Sequence, residues 1–240
     1  MASKRDFPEG FYILVYTCIC NYKCQYCQGK CRRAGKQRNG AQKFYCGVCK
    51  KYQQADYKRR SYNPETNNWM GKLVRESVGI RGIGRLLRIG TGTVLRRIRQ
   101  TAGKISRPVI SKDQNSFEVD ELWTYVGNKQ NEIWVAYAYN KTTDRIEDFV
   151  VGRRTKSTLR VLIERLLLSG VKKIYTDRLT HYSRLIPKDR HRRGVYCTNH
   201  IERKNLTIRT HLKRLGRKTI CFSRCAAMLE SCLRIYFWNR

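Results

Sequence analysis

Residues 117–139, F-E-V-D-E-L-W-T-Y-V-G-N-K-Q-N-E-I-W-V-A-Y-A-Y, decide the fold of the larger part of this 240-residue chain. Two runs rich in β-branched and aromatic residues flank Gly127-Asn128-Lys129-Gln130-Asn131. That pattern predicts a strand over 117–126 turning back into a second over 132–139. Residues 145–151 continue as a third strand. Over 155–168 the period changes, with Leu159, Leu162, Ile163, Leu166 and Leu167 on one side of a helix. Residues 172–176 (K-K-I-Y-T) form a short buried strand that ends at Asp177, and a weaker strand near Val195-Tyr196 leads into a basic helix. A three-strand meander followed by alternation, β-β-β-α-β-α-β-α, predicts an α/β ribonuclease-H-like domain with a mixed sheet and helices on both faces.

The basic helix is read from Y-C-T-N-H-I-E-R-K-N-L-T-I-R-T-H-L-K-R-L-G-R-K-T, residues 196–219. Its single acid, Glu202, lies among Arg203, Lys204, Arg209, Lys213, Arg214, Arg217 and Lys218, while Ile201, Ile208, Leu212 and Leu215 form an apolar seam. Asn199 with Glu202 fits a capping box, and Gly216 fits a helix stop. Seen alone, Glu202 is most simply a cap.

The fold gives it a second reading. Asp120 sits mid-strand, Asp177 at the carboxyl end of the fourth strand and Glu202 on the following helix. Carboxylates gathered from three elements repel one another and take up protons unless a cation intervenes. Paired divalent ions relieve that repulsion and support phosphoryl chemistry, and all-oxygen ligation favours Mg2+ or Mn2+. Singly, Asp120 is also readable as a half-exposed strand acid and Asp177 as a helix N-cap. Glu121 is the main rival to Asp120, because strand alternation puts the two on opposite faces. A metal-bound Glu202 does not cap the helix in the same state.

Upstream, Cys24-Gln25-Tyr26-Cys27 and Cys46-Gly47-Val48-Cys49 are two C-x2-C knuckles with 18 residues between them. Four thiolates on two tight turns predict a closed structural Zn2+ site in a zinc ribbon. Gly35, Asn39-Gly40 and Phe44-Tyr45 suggest a hairpin between the knuckles. Cys18, Cys20 and Cys31 are read as small buried or half-exposed thiols, the alternative being that one of them replaces a nominal ligand. After a polar connection over 61–68, helices are expected near 69–77, 80–88 and 91–100, with Thr91 as N-cap and Val94, Leu95 and Ile98 facing inward. Thr93, Arg96, Arg97 and Arg99 then face outward, the arrangement of a DNA-reading helix-turn-helix. A plain three-helix bundle with a solvated basic face is the alternative. Residues 99–112 read as a basic linker. The expected division is therefore 1–58 (zinc-ribbon DNA-binding module), 59–112 (helix-turn-helix and linker) and 113–240 (catalytic domain).

Charge points to the partner. Fifty-one Lys and Arg against 18 Asp and Glu give +33, with +20 in residues 1–112 and +13 in 113–240. Both parts are basic, so the leading partner is nucleic acid, whose phosphates release counterions when neutralised. The apolar run 11–20 is too short to span a bilayer, and its flanks lack a signal-peptide pattern. Seven of the 11 cysteines lie in residues 18–49, which suits metal binding in a reducing compartment better than a disulfide framework. A cytoplasmic, nucleoid-associated protein with no membrane partner is expected.

Four pieces, F-E-V-D-E-L-W-T-Y-V-G at 117–127, G-R-R-T-K-S-T-L at 152–159, Y-T-D at 175–177 and I-E-R-K-N-L-T-I-R-T-H-L-K-R-L-G-R-K-T at 201–219, resemble transposases of the insertion-sequence-one (IS-one) family. The C-x2-C pair and the Arg-rich helices resemble that family's amino-terminal portion, so the likeness runs over roughly residues 24–235. It implies an Asp-Asp-Glu strand transferase using Asp120, Asp177 and Glu202 as catalytic Mg2+ ligands. It also implies double-stranded DNA as partner, both terminal inverted repeats and target, and a homodimer or larger assembly on paired ends. Lys204, Asn205, Arg209, Lys213 and Arg217 are then candidate DNA contacts beside Thr93, Arg96, Arg97 and Arg99. Arg178 departs from the family, which usually has Gly after the second Asp. One continuous chain here carries both parts that many members join by a ribosomal frameshift. Two other readings fit the same residues: a non-catalytic zinc-ribbon and helix-turn-helix regulator, and a nuclease of the same fold.

Overall fold

A computed structural model describes residues 22–54, 64–110, 116–194 and 198–239 of the chain. The apolar run 11–20, Cys18, Cys20 and the expected strand near Val195-Tyr196 lie outside these residues. The chain divides into two compact units, Met1–Tyr62 and Asn63–Arg240.

In the first unit β1 (Cys31–Lys36), β2 (Gln42–Cys46) and β3 (Tyr52–Gln54) form an antiparallel sheet in that order. The β1–β2 connection carries Asn39-Gly40 as expected: Gly40 has φ +77°, and the Asn39 side chain accepts from the Ala41 amide at 3.1 Å. A left-handed residue at that corner favours glycine, which has no Cβ to clash. Cys24, Cys31, Phe44 and Cys46 make the small core, with Tyr22 stacked on Phe44 at 4.5 Å.

The second unit begins with three helices: α1 (Pro64–Arg75), α2 (Ile80–Leu87) and α3 (Thr91–Lys104). The first starts earlier than expected, because Pro64 is pre-set for a first helical turn and Glu65 suits the positive helix end, so part of the polar connection is helical. Gly90, not Thr91, is the N-cap of α3, and that helix runs through Lys104 into the segment read as linker. Ser77 and Arg88 end the preceding helices in left-handed conformations, with φ +57° and +52°.

The sheet has the order β6-β5-β4-β7-β8, built from β4 (Ser116–Tyr125), β5 (Glu132–Asn140), β6 (Arg145–Gly152), β7 (Lys173–Thr176) and β8 (His191–Arg193). The first three pair antiparallel; β4–β7 and β7–β8 are parallel, giving the expected mixed sheet. α4 (Lys156–Leu168), capped by the Thr155 hydroxyl, and the short α5 (Thr180–Ser183) follow β6 and β7. Alternation sorts the strands onto two cores. Phe117, Val119, Ala136 and Ala138 pack on Leu159, Leu162, Ile163 and Leu166 of α4. Leu122, Val135, Tyr137 and Phe149 face Ile201, Ile208, Leu212 and Leu215 on the other side.

The stretch 196–219 is not one helix. α6 (Asn199–His211) ends at Leu212, whose backbone is extended, and a 3-10 turn (Lys213–Leu215) precedes Gly216. Arg209 explains the reversal, since its guanidinium donates to the Leu215 carbonyl at 2.6 Å and to the Trp123 carbonyl at 3.2 Å. All four seam residues are nevertheless fully buried. The last helix, α7 (Ala226–Trp238), has no counterpart in the expectations above. Its Met228, Cys232 and Ile235 close one core with Met70, Val74, Ile83, Val94 and Ile98 of the three leading helices. No helix among the described residues is long and apolar enough to cross a membrane.

Candidate active site and metal centres

β7 ends at Thr176, which pairs with Val119, so Asp120 and Glu121 lie on β4 just past the end of the neighbouring strand. Asp177 follows directly on β7. In that opening Asp120, Glu121 and Asp177 bring carboxylate oxygens within 4.8 Å of one another. Alternation puts Glu121 on the α4 side with Val119, and its carboxylate at the strand end still lies within the same cluster.

Each acid is held. Asp120 accepts from the Glu121 amide at 2.7 Å and from the Asn205 side-chain amide at 2.5 Å. The hydroxyl of buried Tyr137 donates to the Asn205 oxygen at 2.6 Å, which fixes which end of that amide faces Asp120. Glu121 accepts from the Tyr182 hydroxyl and from Arg154 at 3.1 Å. Arg154 also lies 3.8 Å from Asp177 and over the Trp134 ring at 4.6 Å. Asp177 accepts from the Leu179 amide at 2.9 Å. Burial raises the Asp120 carboxyl, opposed by the Glu121 amide and Asn205 and reinforced by the charges of Asp177 and Glu202. Burial likewise raises Glu121, against the pull of Tyr182 and Arg154, and the charges of Asp177 and Asp120 push it further.

Glu202 stands outside the group of three. It is exposed on the first turn of α6 and accepts from the Thr198 hydroxyl at 3.1 Å, although its charge still acts on Asp120. The Asn199–Glu202 capping box does not form, because the helix begins one residue earlier than that box requires, with Thr198 at the N-cap. Glu118, buried on β4, serves the helix end instead, accepting from the Ile201 amide at 2.8 Å and pairing with His200 at 3.0 Å. A partner 83 residues upstream leaves no local sequence signature.

The remaining candidates are scattered. Asn205 and Arg209 spend their polar groups on the protein, and half-buried Lys204 pairs with Asp144 at 2.7 Å. Lys213, Arg217 and Arg178 are exposed. On α3, Arg96 and Arg99 are exposed, Thr93 and Arg97 are partly buried, and Arg97 donates to Asn67 at 3.4 Å. Sequence reasoning missed Arg154 and Tyr182 and set Glu121 aside. Only the G-R-R-T run hinted at Arg154.

In the first unit Cys24, Cys27, Cys46 and Cys49 converge within 4.8 Å, with Cys24–Cys49 and Cys27–Cys46 sulfur separations of 3.5 Å. Cys31 lies outside this group of four, with its sulfur at the Gly29 carbonyl and the Gln53 amide. Burial opposes ionisation of Cys24, but the Tyr26 and Cys27 amides and neighbouring thiols bring it down to about 6. Burial pushes Cys49 up to about 12. Four thiols arranged so that they cannot all ionise on their own are a donor set that fits a soft, tetrahedral dication.

The family described as IS1 transposase matches over residues 115–239. An iso-IS1n insertion-element protein, InsB of Shigella dysenteriae, is 43% identical over 113 residues, covering 47% of this chain and 86% of that protein. The IS1 InsB protein of Shigella flexneri is 35% identical over 119 residues, 50% of this chain and 91% of its own length. A solved chain from a simian T-cell lymphotropic virus intasome in complex with a PP2A regulatory subunit aligns at a TM-score of 0.34 and 16% identity, covering 69% of this chain and 65% of that one. A likeness at that level fixes nothing about the fold.

Proposed function

The chain belongs to the IS1 transposase family, and from that membership we propose that it cleaves the ends of an insertion element and joins the freed 3′ ends to target DNA. The observation that carries this reading is the meeting of Asp120 and Asp177 at the open end of β7, inside the region matched to the family. The strand order, with three antiparallel strands continued on one side by two parallel ones, supports a ribonuclease-H-like domain around that site.

The oxygen donors and the mutual repulsion of the acids fit a hard divalent cation. Mg2+ or Mn2+ ions held by Asp120, Asp177 and Glu202 would activate the attacking oxygen and stabilise the charge that builds up on the phosphate. The protein supplies orientation. Asn205, locked by Tyr137, keeps one Asp120 oxygen in place, and the Glu121 amide fixes the other. Arg154 neutralises Glu121 and keeps a cation beside Asp177. To serve as a ligand Glu202 would have to release Thr198; it lies exposed on the helix that presents Asn205, and its charge already acts on Asp120. Arg203, Lys213, Arg217 and Lys218 offer exposed cations to the phosphate backbone.

In this reading residues 113–240 carry the chemistry, 59–112 read the terminal repeats in the major groove through α3, and 1–58, folded on Zn2+, add a second DNA contact. Paired ends call for a homodimer or larger assembly, working in the prokaryotic cytoplasm on the nucleoid. The test is strand transfer by the purified chain with Mg2+ and oligonucleotides carrying the element's ends. End nicking and joining are expected, and Asp120→Asn should lose both while binding the ends as before. Cleavage without joining would point to a nuclease. Specific end binding with neither nicking nor joining by the wild-type chain would leave only the non-catalytic regulator, and full activity of Asp120→Asn would remove Asp120 from the catalytic set.

A further inference from the structure

The outward face of the three-stranded sheet carries a row of side chains that neither the zinc site nor the catalytic reading uses. Phe44 and Cys46 point into the small core, so alternation turns Lys43 and Tyr45 of β2 to the other face. Arg32 pairs with Tyr45 across β1–β2, and Tyr45 with Tyr52 across β2–β3, so the three form one line across the sheet. The rings of Tyr45 and Tyr52 lie 4.9 Å apart. Arg32 stands over Tyr45 at 5.1 Å, and Lys43 stands over Tyr52 at 3.8 Å. Tyr52 is 56% exposed. Residues 22–54 contain six Lys and three Arg and no Asp or Glu, so their charge is not balanced within the module.

We infer that this face binds single-stranded DNA, with unpaired bases stacking on Tyr45 and Tyr52 and the phosphates running past Arg32 and Lys43. Two neighbouring rings flanked by cations make the platform that unpaired strands use, since every base has a π face and every link a negative charge. A duplex hides those faces in its stack. Its major groove admits a helix or a two-stranded ribbon, and this sheet has three strands. The choice of DNA over RNA rests on the transposase reading; the stacking platform does not. Unpaired DNA arises wherever an element end is opened for cleavage or a joined product leaves a gap.

The full, zinc-loaded chain is titrated with labelled oligothymidylate, a strand of equal length with abasic sites, oligouridylate, and a duplex. The wild-type chain should prefer oligothymidylate over the abasic strand by about tenfold or more. The double variant Tyr45→Ala/Tyr52→Ala should lose that preference, keep its zinc, and bind duplex within about twofold of wild type, because the cations remain. Tyr45→Phe/Tyr52→Phe should keep the preference. Equal wild-type affinity for base-bearing and abasic strands overturns the proposal without recourse to any variant. So does an Ala variant that retains the preference, or one whose duplex binding falls as far as its single-strand binding. Tighter binding of oligouridylate than oligothymidylate overturns the choice of DNA. Failure of strand transfer would sink the catalytic reading and leave these binding results standing.

Discussion

The two candidate metal centres are built in opposite ways. The four cysteines come from two short knuckles, and all four sulfurs are already within reach of one ion. The acids come from distant parts of a larger fold: two of the three expected ones meet, Glu121, the rival to Asp120 on the same strand, joins them, and Glu202 stays outside on its helix. The four cysteines offer a complete donor set, which suits an ion that folds the module. The acid cluster lies in the opening past β7 and is held by the surrounding protein, which suits the proposed chemistry on a large substrate; under that proposal the site has no need to be complete before substrate and cation arrive.

The largest effect should follow from breaking the closed site. Chelating the zinc, or Cys24→Ser, should unfold residues 22–54, because binding worth about 10–16 kcal/mol is folding energy in modules this small. The amide signals of β1–β3 should collapse while the melting of the larger unit stays put; a surviving β1–β3 sheet in the chelated protein would contradict the contrast.

At the open site the protein scaffold should matter more than any ion for stability. Asn205→Ala leaves the Tyr137 hydroxyl and an Asp120 oxygen without their shared partner, so unfolding should become easier by about 1–3 kcal/mol. Activity should fall by about 10–100-fold, the usual cost of losing a group that positions a metal ligand. Unchanged stability and turnover in denaturant and strand-transfer assays would show that the Tyr137–Asn205–Asp120 chain is incidental.

Titration gives a third, smaller contrast. Asp120 and Glu121 have folded-state values above their unfolded ones, so the folded protein binds more protons between the two values. Their contribution to the metal-free protein is fully present below the unfolded carboxyl range and is lost as pH rises through the raised values. Added Mg2+ should offset that loss. Asp144, drawn down by Lys204, has the opposite sign: its contribution is present above the unfolded value and lost as pH falls through the lowered one. That pair is largely exposed on the acid side, so Asp144→Asn should cost at most about 1 kcal/mol. Melting curves of wild type and both Asp120→Asn and Asp144→Asn across pH 3–8, with and without Mg2+, separate the two signs; parallel profiles would refute them.

Legibility in the sequence followed the range of the interactions. The strands β4 to β7, the helix begun near Thr155 and the cysteine knuckles depend on neighbours in sequence, and their patterns were visible; β8 at His191–Arg193 lies ahead of the weak strand expected near Val195-Tyr196. The parallel pairing of β4 with β7 could be expected from order alone, and with it the meeting of Asp120 and Asp177. The end of α6 at Leu212 could not, because it is set by Arg209 reaching two distant carbonyls. Glu118 acting at the start of α6 and Tyr182 holding Glu121 depend on tertiary approach and leave no spacing to read. In α7, Met228, Leu229, Cys232 and Leu233 recur at helical spacing, but its role in closing the core of α1–α3 depends on tertiary approach.

The most direct test asks which glutamate completes the catalytic set. Glu202→Gln and Glu121→Gln should be compared for Mg2+-dependent 3′-end cleavage of an element-end oligonucleotide at matched DNA binding. Cleavage lost in Glu202→Gln and retained, though reduced, in Glu121→Gln is the predicted result. Cleavage retained in Glu202→Gln and lost in Glu121→Gln would show that the acids already gathered are the whole site and that the helix acid is not part of it.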